Sequence, residues 1–193
     1  TCRCGEDVKR STDRVRQFKV SCGKCSWRLV YLLQERQTGY MKIGIADCLY
    51  RFSGYSTNLL ADYDILAVAL FENAKKVEDY LLSLVTRFKG EWFDPAVNPG
   101  KAEFIQKFIL ENGEDISEQR EIIEARGVGK QNQSEPSYSP HISSGYIYLL
   151  YRTDTAIYKV GSSSIKNIDN RVYNIQHYNP MPIQVVGKWL VDN

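Results

Sequence analysis

A pattern of tyrosine, lysine and glycine occurs twice in the 193-residue chain and constrains its fold more than any other feature. The first copy places Lys42 eleven residues after Tyr31 and Gly44 two residues later. The second copy, from Tyr148 to Gly161, keeps the same spacing 117 residues further on. In both copies the tyrosine and the lysine lie in separate apolar stretches, which is typical of two strands joined by a turn. The repeat therefore predicts that one β-hairpin occurs twice.

The register of the first hairpin follows from a simple assumption. If its two strands pair symmetrically, Tyr31 and Lys42 lie opposite each other on one face of the sheet, with their Cβ atoms about 5 Å apart. We therefore expect the hydroxyl of this tyrosine and the ammonium of this lysine to be neighbours.

The residues around the hairpins predict further helices and strands. Residues 47–55 and 74–88 have helical patterns, and residues 64–71 are rich in Ile, Val and Leu, which predicts a third strand. Asn98 and Pro99 predict the N-cap and first position of another helix. The expected fold class is α/β, or α+β: a small three-stranded antiparallel sheet flanked by helices, present twice.

Composition divides the chain into four parts. Residues 127–144 are rich in Gly, Gln, Asn, Ser and Pro, which predicts a linker between a first domain at residues 27–126 and a second at residues 145–193. Residues 1–26 contain four of the five cysteines and are expected to form a separate element. The second domain is too short to repeat the whole of the first. We expect either a longer natural polypeptide or an incomplete, non-catalytic second copy.

The net charge of +2 conceals an uneven distribution. Residues 1–30 contain eight Lys or Arg and three acidic residues, whereas residues 111–124 contain six acidic residues and Arg120. The basic end either faces phosphates or is a solvated charged surface. The longest apolar run, residues 65–71, is far shorter than the roughly 20 residues of a membrane span, so no membrane partner is expected.

The cysteines predict a structural zinc site. Cys2 and Cys4 form one closely spaced pair and Cys22 and Cys25 another, which together offer four thiolates for tetrahedral Zn²⁺ in a ribbon-like element. The alternative is two clusters of reduced thiols without metal. Cys48, predicted as a buried helix thiol, makes the count odd, which argues against a disulfide framework and favours an intracellular compartment.

Residues 27–94 resemble the GIY-YIG nuclease superfamily, which is named for two short motifs on the first two strands of a small α/β domain. The first motif corresponds to Leu29-Val30-Tyr31 and the second to Lys42-Ile43-Gly44. Glu91-Trp92-Phe93 matches a motif of the viral, phage and bacterial branch, which favours Lys-Ile-Gly. We also expect this last motif to close the core.

The resemblance implies a catalytic set of Tyr31, Lys42, Arg51 and Tyr55, with Glu78 as ligand of Mg²⁺ or Mn²⁺. Because a phenol is a weak base at its usual pKa of about 10 and a nearby ammonium favours the phenolate, we expect Tyr31 to be the general base and Lys42 its activator. Arg51 and Tyr55, one helical turn apart, are expected to grip a phosphate. Glu78 borders an apolar helix stripe and should face the sheet. Each residue also has a purely structural interpretation.

The second copy departs from this pattern. It keeps Tyr148 and Lys159, and Arg171 matches the helical arginine, but Ile175 stands where the first copy has Tyr55. We expect this copy to be non-catalytic and to serve DNA binding, dimerisation or packing.

Three functions are consistent with these features. The first is a Mg²⁺-dependent DNA endonuclease of viral or phage type, whose zinc element assists DNA binding. The second is a non-catalytic DNA-binding or regulatory protein that reuses the fold. The third is a protein-interaction module that binds a partner, or a second copy of itself, through its tyrosine-rich second half and the acidic residues 111–124.

Overall fold

The computed structural model describes part of the chain, and its elements are confined to that part. The described residues are 27–47, 49, 51–116, 144–164 and 167–191. The four predicted zinc ligands, Cys48 and nearly all of the predicted linker lie outside them.

The fold is mixed α+β with two small antiparallel sheets, as the sequence predicts. The chain divides into two compact units. Unit 1 comprises Thr1–Gly54 and Tyr63–Lys130, and unit 2 comprises Tyr55–Asp62 and Gln131–Asn193.

Unit 1 contains a five-stranded sheet in the order β3-β1-β2-β5-β4. Its strands are β1 (Arg28–Glu35), β2 (Met41–Ala46), β3 (Tyr63–Phe71), β4 (Arg87–Lys89) and β5 (Trp92–Phe93). The helices in this stretch of the chain are α1 (Arg51–Asn58), α2 (Ala74–Ser83), a 3-10 turn (Pro95–Val97) and α3 (Lys101–Asn112). The boundary between the units falls within α1.

Three predictions for this region are wrong in detail. The sheet has five strands rather than three, because β5 pairs with β2 and β4 pairs with β5. Because residues 87–89 form β4, α2 ends at Ser83 rather than at residue 88. The next helix begins at Lys101, after Gly100 in a left-handed conformation (φ 70°). Asn98 does not cap that helix, because its side chain bonds the backbone of Thr86 and Asp94 instead.

The main core of unit 1 lies on one face of the sheet. Val30, Leu32 and Ile43 point to this face, where α2 and α3 cover them with apolar side chains that include Leu81 and Ile105. Trp92 and Phe93 are fully buried, which confirms that this motif helps to close the core. Because side chains alternate along a strand, Tyr31 and Lys42 leave the opposite face.

The register of the β1–β2 hairpin differs from the symmetric expectation. Tyr31 lies opposite Gly44, and Lys42 lies opposite Leu33. At the turn the Glu35 N–H donates to the Tyr40 oxygen and the Gly39 N–H donates to the Glu35 oxygen. The centre of the hairpin is therefore one residue further along than a symmetric pairing of Tyr31 with Lys42 requires. Both registers keep Tyr31 and Lys42 on the same face, because the pairing is displaced by two residues and the side-chain period is two.

Unit 2 contains a three-stranded sheet in the order β7-β6-β8. Its strands and helix are β6 (Gly145–Arg152), β7 (Ile157–Ser164), α4 (Ile168–Tyr178) and β8 (Ile183–Val191). The predicted second hairpin and three-stranded antiparallel sheet are therefore present. Tyr148 lies opposite Gly161, as Tyr31 lies opposite Gly44. The sequence offset of 117 thus also relates the two pairings.

One face of the unit 2 sheet carries exposed apolar side chains. Ile147, Tyr158, Val160 and Trp189 are all exposed, Val160 to 70%. In unit 1 the positions 117 residues earlier than Ile147 and Val160 are Val30 and Ile43, which helices cover. Among the described residues of unit 2, no helix covers Ile147 and Val160. Nor does the described part of the chain contain a helix of the length and apolar character that a membrane span requires.

Candidate active site

Tyr31 is buried at the centre of the first hairpin. Its ring meets that of Phe52, on the first turn of α1, edge to face at a centroid distance of 5.1 Å. On the neighbouring strand its ring lies over Gly44, where a Cβ atom would stand 2.6 Å from the ζ carbon of Tyr31. Glycine is therefore required at position 44 for this ring position, which gives a physical reason for the glycine of the second motif.

Lys42 lies on the same face as Tyr31 and is held by two residues of the β4–β5 hairpin. Its ammonium is 2.6 Å from Glu91 Oε2 and 5.7 Å from the centroid of the Trp92 ring. The Lys42 side chain is only 9% exposed, whereas that of Glu91 is 40% exposed. The cation is therefore largely withdrawn from water, and the more accessible carboxylate neutralises it.

Arg51 and Tyr55 differ in their surroundings. Arg51 is exposed at the start of α1, whereas Tyr55, one turn later, is fully buried. Within unit 2 the Tyr55 ring contacts the ring of Tyr178 at 5.2 Å. The roles of Arg51 and of the buried Tyr55 in phosphate binding stay predictions.

Glu78 is buried in the layer between α2 and the sheet. It lies on the helix face of Ala74, Leu81 and Leu82, and it is 2% exposed, as expected for a residue that faces the sheet. Oε2 accepts a bond of 2.8 Å from Lys75 Nζ. Oε1 is buried without a hydrogen-bond partner among the described residues. A buried carboxylate oxygen with unused lone pairs is a suitable ligand for a hard cation.

The ammonium of Lys75 balances the negative charge of the Glu78 carboxylate. This ammonium is 2.8 Å from Glu78 Oε2 and 2.8 Å from Asp79 Oδ1. These two bonds, that to Asp79 foremost, raise the pKa of Lys75 above its usual value. Lys75 is itself mostly exposed and can turn into solvent, but the Glu78 side chain is only 3% exposed and would then need another cation to balance its buried charge.

The predicted site residues of unit 1 lie on two faces of one sheet. Tyr31 and Lys42 leave the face opposite to the one covered by α2, which carries Glu78. The two faces meet at the edge of β2. Since β5 pairs with β2 only at Met41 and Lys42, the stretch from Gly44 onward has no neighbouring strand among the described residues on the side away from β1.

Unit 2 brings its corresponding residues together. Arg171 Nε donates to the Tyr148 hydroxyl at 3.2 Å. Burial, and then the charge of Arg171, lower the pKa of Lys159 below its ordinary value of 10.5. The tyrosine, lysine and arginine that the sequence singled out are thus adjacent.

Sequence reasoning missed a further residue of this group, Asn179. It follows α4 directly, is fully buried, and bonds the backbone of residues 58 and 60 through its side-chain amide. No motif marks it. The only signal is an asparagine placed where a helix ends, which also has the simple interpretation of a cap.

The described residues contain no group of three His, Cys, Asp or Glu side chains that could hold a metal ion. Glu78 could therefore hold a cation only as a single carboxylate completed by water, an arrangement that Mg²⁺ tolerates. No family model, curated protein or solved structure matches the chain.

Proposed function

We propose that unit 1 is a DNA endonuclease of the GIY-YIG type that hydrolyses phosphodiester bonds. The observation that most supports this proposal is the packing of Tyr31 over Gly44, with Lys42 two positions along the same strand and face. The first and second motifs therefore meet through their tyrosine and glycine. The same pairing in unit 2, where an arginine reaches the tyrosine hydroxyl, supports a shared design.

Arg51, Tyr31 and Lys42 each have a defined part in the proposed reaction. Arg51, exposed at the start of α1, binds the phosphate through its guanidinium. Tyr31 accepts the proton of the attacking water, and Lys42 contributes positive charge on the same face of the sheet. Tyr55, which belongs to unit 2 and is buried there, stays a predicted phosphate ligand without a part in this scheme.

Glu78 would hold the divalent cation through Oε1, which has no hydrogen-bond partner in the described part of the chain. When bound, Mg²⁺ supplies positive charge to the phosphate oxygens and orients water. For this to happen Lys75 must release or share the carboxylate, which its exposure permits. The scissile phosphate would approach at the edge of β2, where the faces bearing Tyr31 and Glu78 meet.

The alternative is a non-catalytic DNA-binding or regulatory protein. The position of Lys75 favours it, because an ammonium 2.8 Å from Glu78 already provides the countercharge that a metal would supply. The bond between Lys42 and Glu91 favours it too, because it reduces the charge available to a phosphate. In that case the basic residues near the N-terminus provide affinity without chemistry.

Relaxation of supercoiled plasmid by the full chain separates the two functions. A nuclease converts the plasmid to open circles in Mg²⁺ or Mn²⁺ and stops when EDTA is added. Salt-sensitive binding without cleavage in either metal would support the alternative. If the chain does cleave the plasmid, a labelled restriction fragment would show whether one strand or both are cut.

Three further parts of this proposal concern residues or properties beyond the site. Cys2, Cys4, Cys22 and Cys25 hold a structural Zn²⁺ that helps the basic N-terminal residues to bind DNA. The odd cysteine count supports an intracellular setting. The exposed apolar face of the unit 2 sheet supports a homodimer or a protein partner.

A further inference from the structure

The segment Asn58–Leu60 is bound by one buried side chain of unit 2. Asn179 Nδ2 donates to the backbone oxygen of Asn58 at 2.8 Å, and the Leu60 backbone N–H donates to Asn179 Oδ1 at 2.9 Å. Asn179 Nδ2 also donates to the oxygen of Ile175, at the end of α4. The side-chain amide thus presents a donor and an acceptor to the backbone, as a neighbouring strand would.

Two cationic side chains bind the same segment. Arg171 Nη1 donates to Asn58 Oδ1 at 2.6 Å, and Lys159 Nζ donates to the Leu59 oxygen at 3.3 Å. Both belong to the group that corresponds to the candidate site of unit 1. Their partners are an amide oxygen and a peptide oxygen, which are neutral acceptors.

An apolar contact completes the binding. Leu60 packs against the cluster that contains Tyr148, Leu150 and Ile175. The segment therefore contributes two backbone oxygens, a backbone N–H, a side-chain amide and an apolar side chain, and unit 2 has a matching group for each. This combination of main-chain bonds and a side-chain pocket is how proteins recognise extended peptides.

We propose that Tyr148, Lys159, Arg171 and Asn179 form a peptide-binding site whose ligand is the segment Asn58–Leu60 of the same chain. Unit 2 thus uses a catalytic-type set of residues for recognition rather than for hydrolysis. The proposal does not depend on cleavage by unit 1.

Hydrogen exchange of the full-length chain tests this directly, because the Leu60 amide bonds Asn179 itself. Asn179→Ala should raise the exchange rate of Leu60 by roughly 10-fold or more, since a buried bond and its matching partner are lost. Lys188→Ala, which removes an exposed ion pair with Asp169 in the same unit, should leave it unchanged. Exchange at Leu60 equal to the wild type in Asn179→Ala would overturn the proposal.

A second pair of variants covers the case in which Asn179→Ala unfolds unit 2, which faster exchange throughout β6 would reveal. Asn58→Ala and Arg171→Ala remove the two ends of one bond at part-buried side chains. Each should speed exchange at residues 59–60 while β6 stays protected, and the double variant should add little to either single change. Fully additive effects, or none, would contradict a direct contact between Arg171 and the segment.

Discussion

Tyr31 lies opposite Gly44 in the β1–β2 hairpin, and its ring occupies the volume in which a Cβ atom at position 44 would stand. The two motifs of the candidate site are therefore complementary in shape as well as adjacent in the sheet. Neither the ring of Tyr31 nor the backbone at Gly44 can move far, because both belong to the centre of a buried hairpin.

The first prediction concerns this fit. Gly44→Ala should lower the free energy of unfolding by about 1–3 kcal/mol, because the new methyl group overlaps a buried ring that has no room to move. Urea denaturation measures the loss. Gly187→Ala is the control: the ring that its Cβ would meet, Trp189, is 52% exposed and can rotate away.

A double-mutant cycle makes the same prediction specific to Tyr31. In a Tyr31→Leu background the cost of Gly44→Ala should fall well below its value in the wild type, because the shorter side chain leaves the space open. An equal cost in both backgrounds would mean that Gly44 is required for another reason.

The second prediction uses the unequal exposure of Lys42 and Glu91. Glu91→Ala leaves a buried ammonium without its carboxylate and should cost roughly 1–3 kcal/mol of stability. Lys42→Met removes the buried charge and leaves a carboxylate that water can reach, so it should cost less. Chemical denaturation of both variants checks the order, and the reverse order would show that the carboxylate, not the ammonium, is the group that depends on the pair.

The third prediction concerns the pH dependence of unit 2. Arg152 is fully buried and bonds both oxygens of Asp154 at 2.8 Å, which holds the pKa of Asp154 below its usual 3.8. A depressed carboxyl pKa contributes stability above the unfolded value and loses it as the pH falls through the folded one. Asp154→Asn should therefore be less stable than the wild type at pH 7, with a difference that shrinks below about pH 4. A difference that stays constant down to pH 2 would exclude this linkage.

The fourth prediction concerns the N-terminal cysteines. The purified chain should carry about one zinc per molecule, measured by atomic emission, because four thiolates complete a tetrahedral site. Cys25→Ser should lose most of this metal, whereas Cys48→Ser should keep it. If the wild-type protein is purified under reducing conditions with added zinc and still contains no bound metal, the predicted zinc site is wrong.

The elements of the fold were largely predictable because they depend on patterns that act locally. The long strands have apolar runs or alternation, and α2 buries residues spaced as on one helix face. The strands β4 and β5 escaped prediction because three and two residues are too few to show a period. They form because Trp92 and Phe93 gain burial beside β2.

The candidate site was predictable in its faces but not in its contacts. The observed register is displaced from the expected one by two residues, which is one side-chain period, so the prediction that Tyr31 and Lys42 share a face was correct. The residues that lie opposite Tyr31 and Lys42 on the neighbouring strand depend on the geometry of the turn at residues 36–39, and the alternation of apolar residues does not predict that geometry. The contacts of Lys42 with Glu91, and of Asn179 with residues 58 and 60, join positions far apart in sequence and depend on tertiary packing alone.

The rate of Mg²⁺-dependent plasmid nicking by Glu78→Gln, under single-turnover conditions, tests the proposed nuclease most directly. The substitution keeps the size of the side chain but removes the charge that would hold the cation. The matched control is Glu103→Gln, which neutralises an exposed acid on α3. If Glu78 holds the cation, the rate should fall roughly 100-fold or more in Glu78→Gln and stay unchanged in Glu103→Gln. Cleavage by Glu78→Gln at the wild-type rate would contradict this role of Glu78.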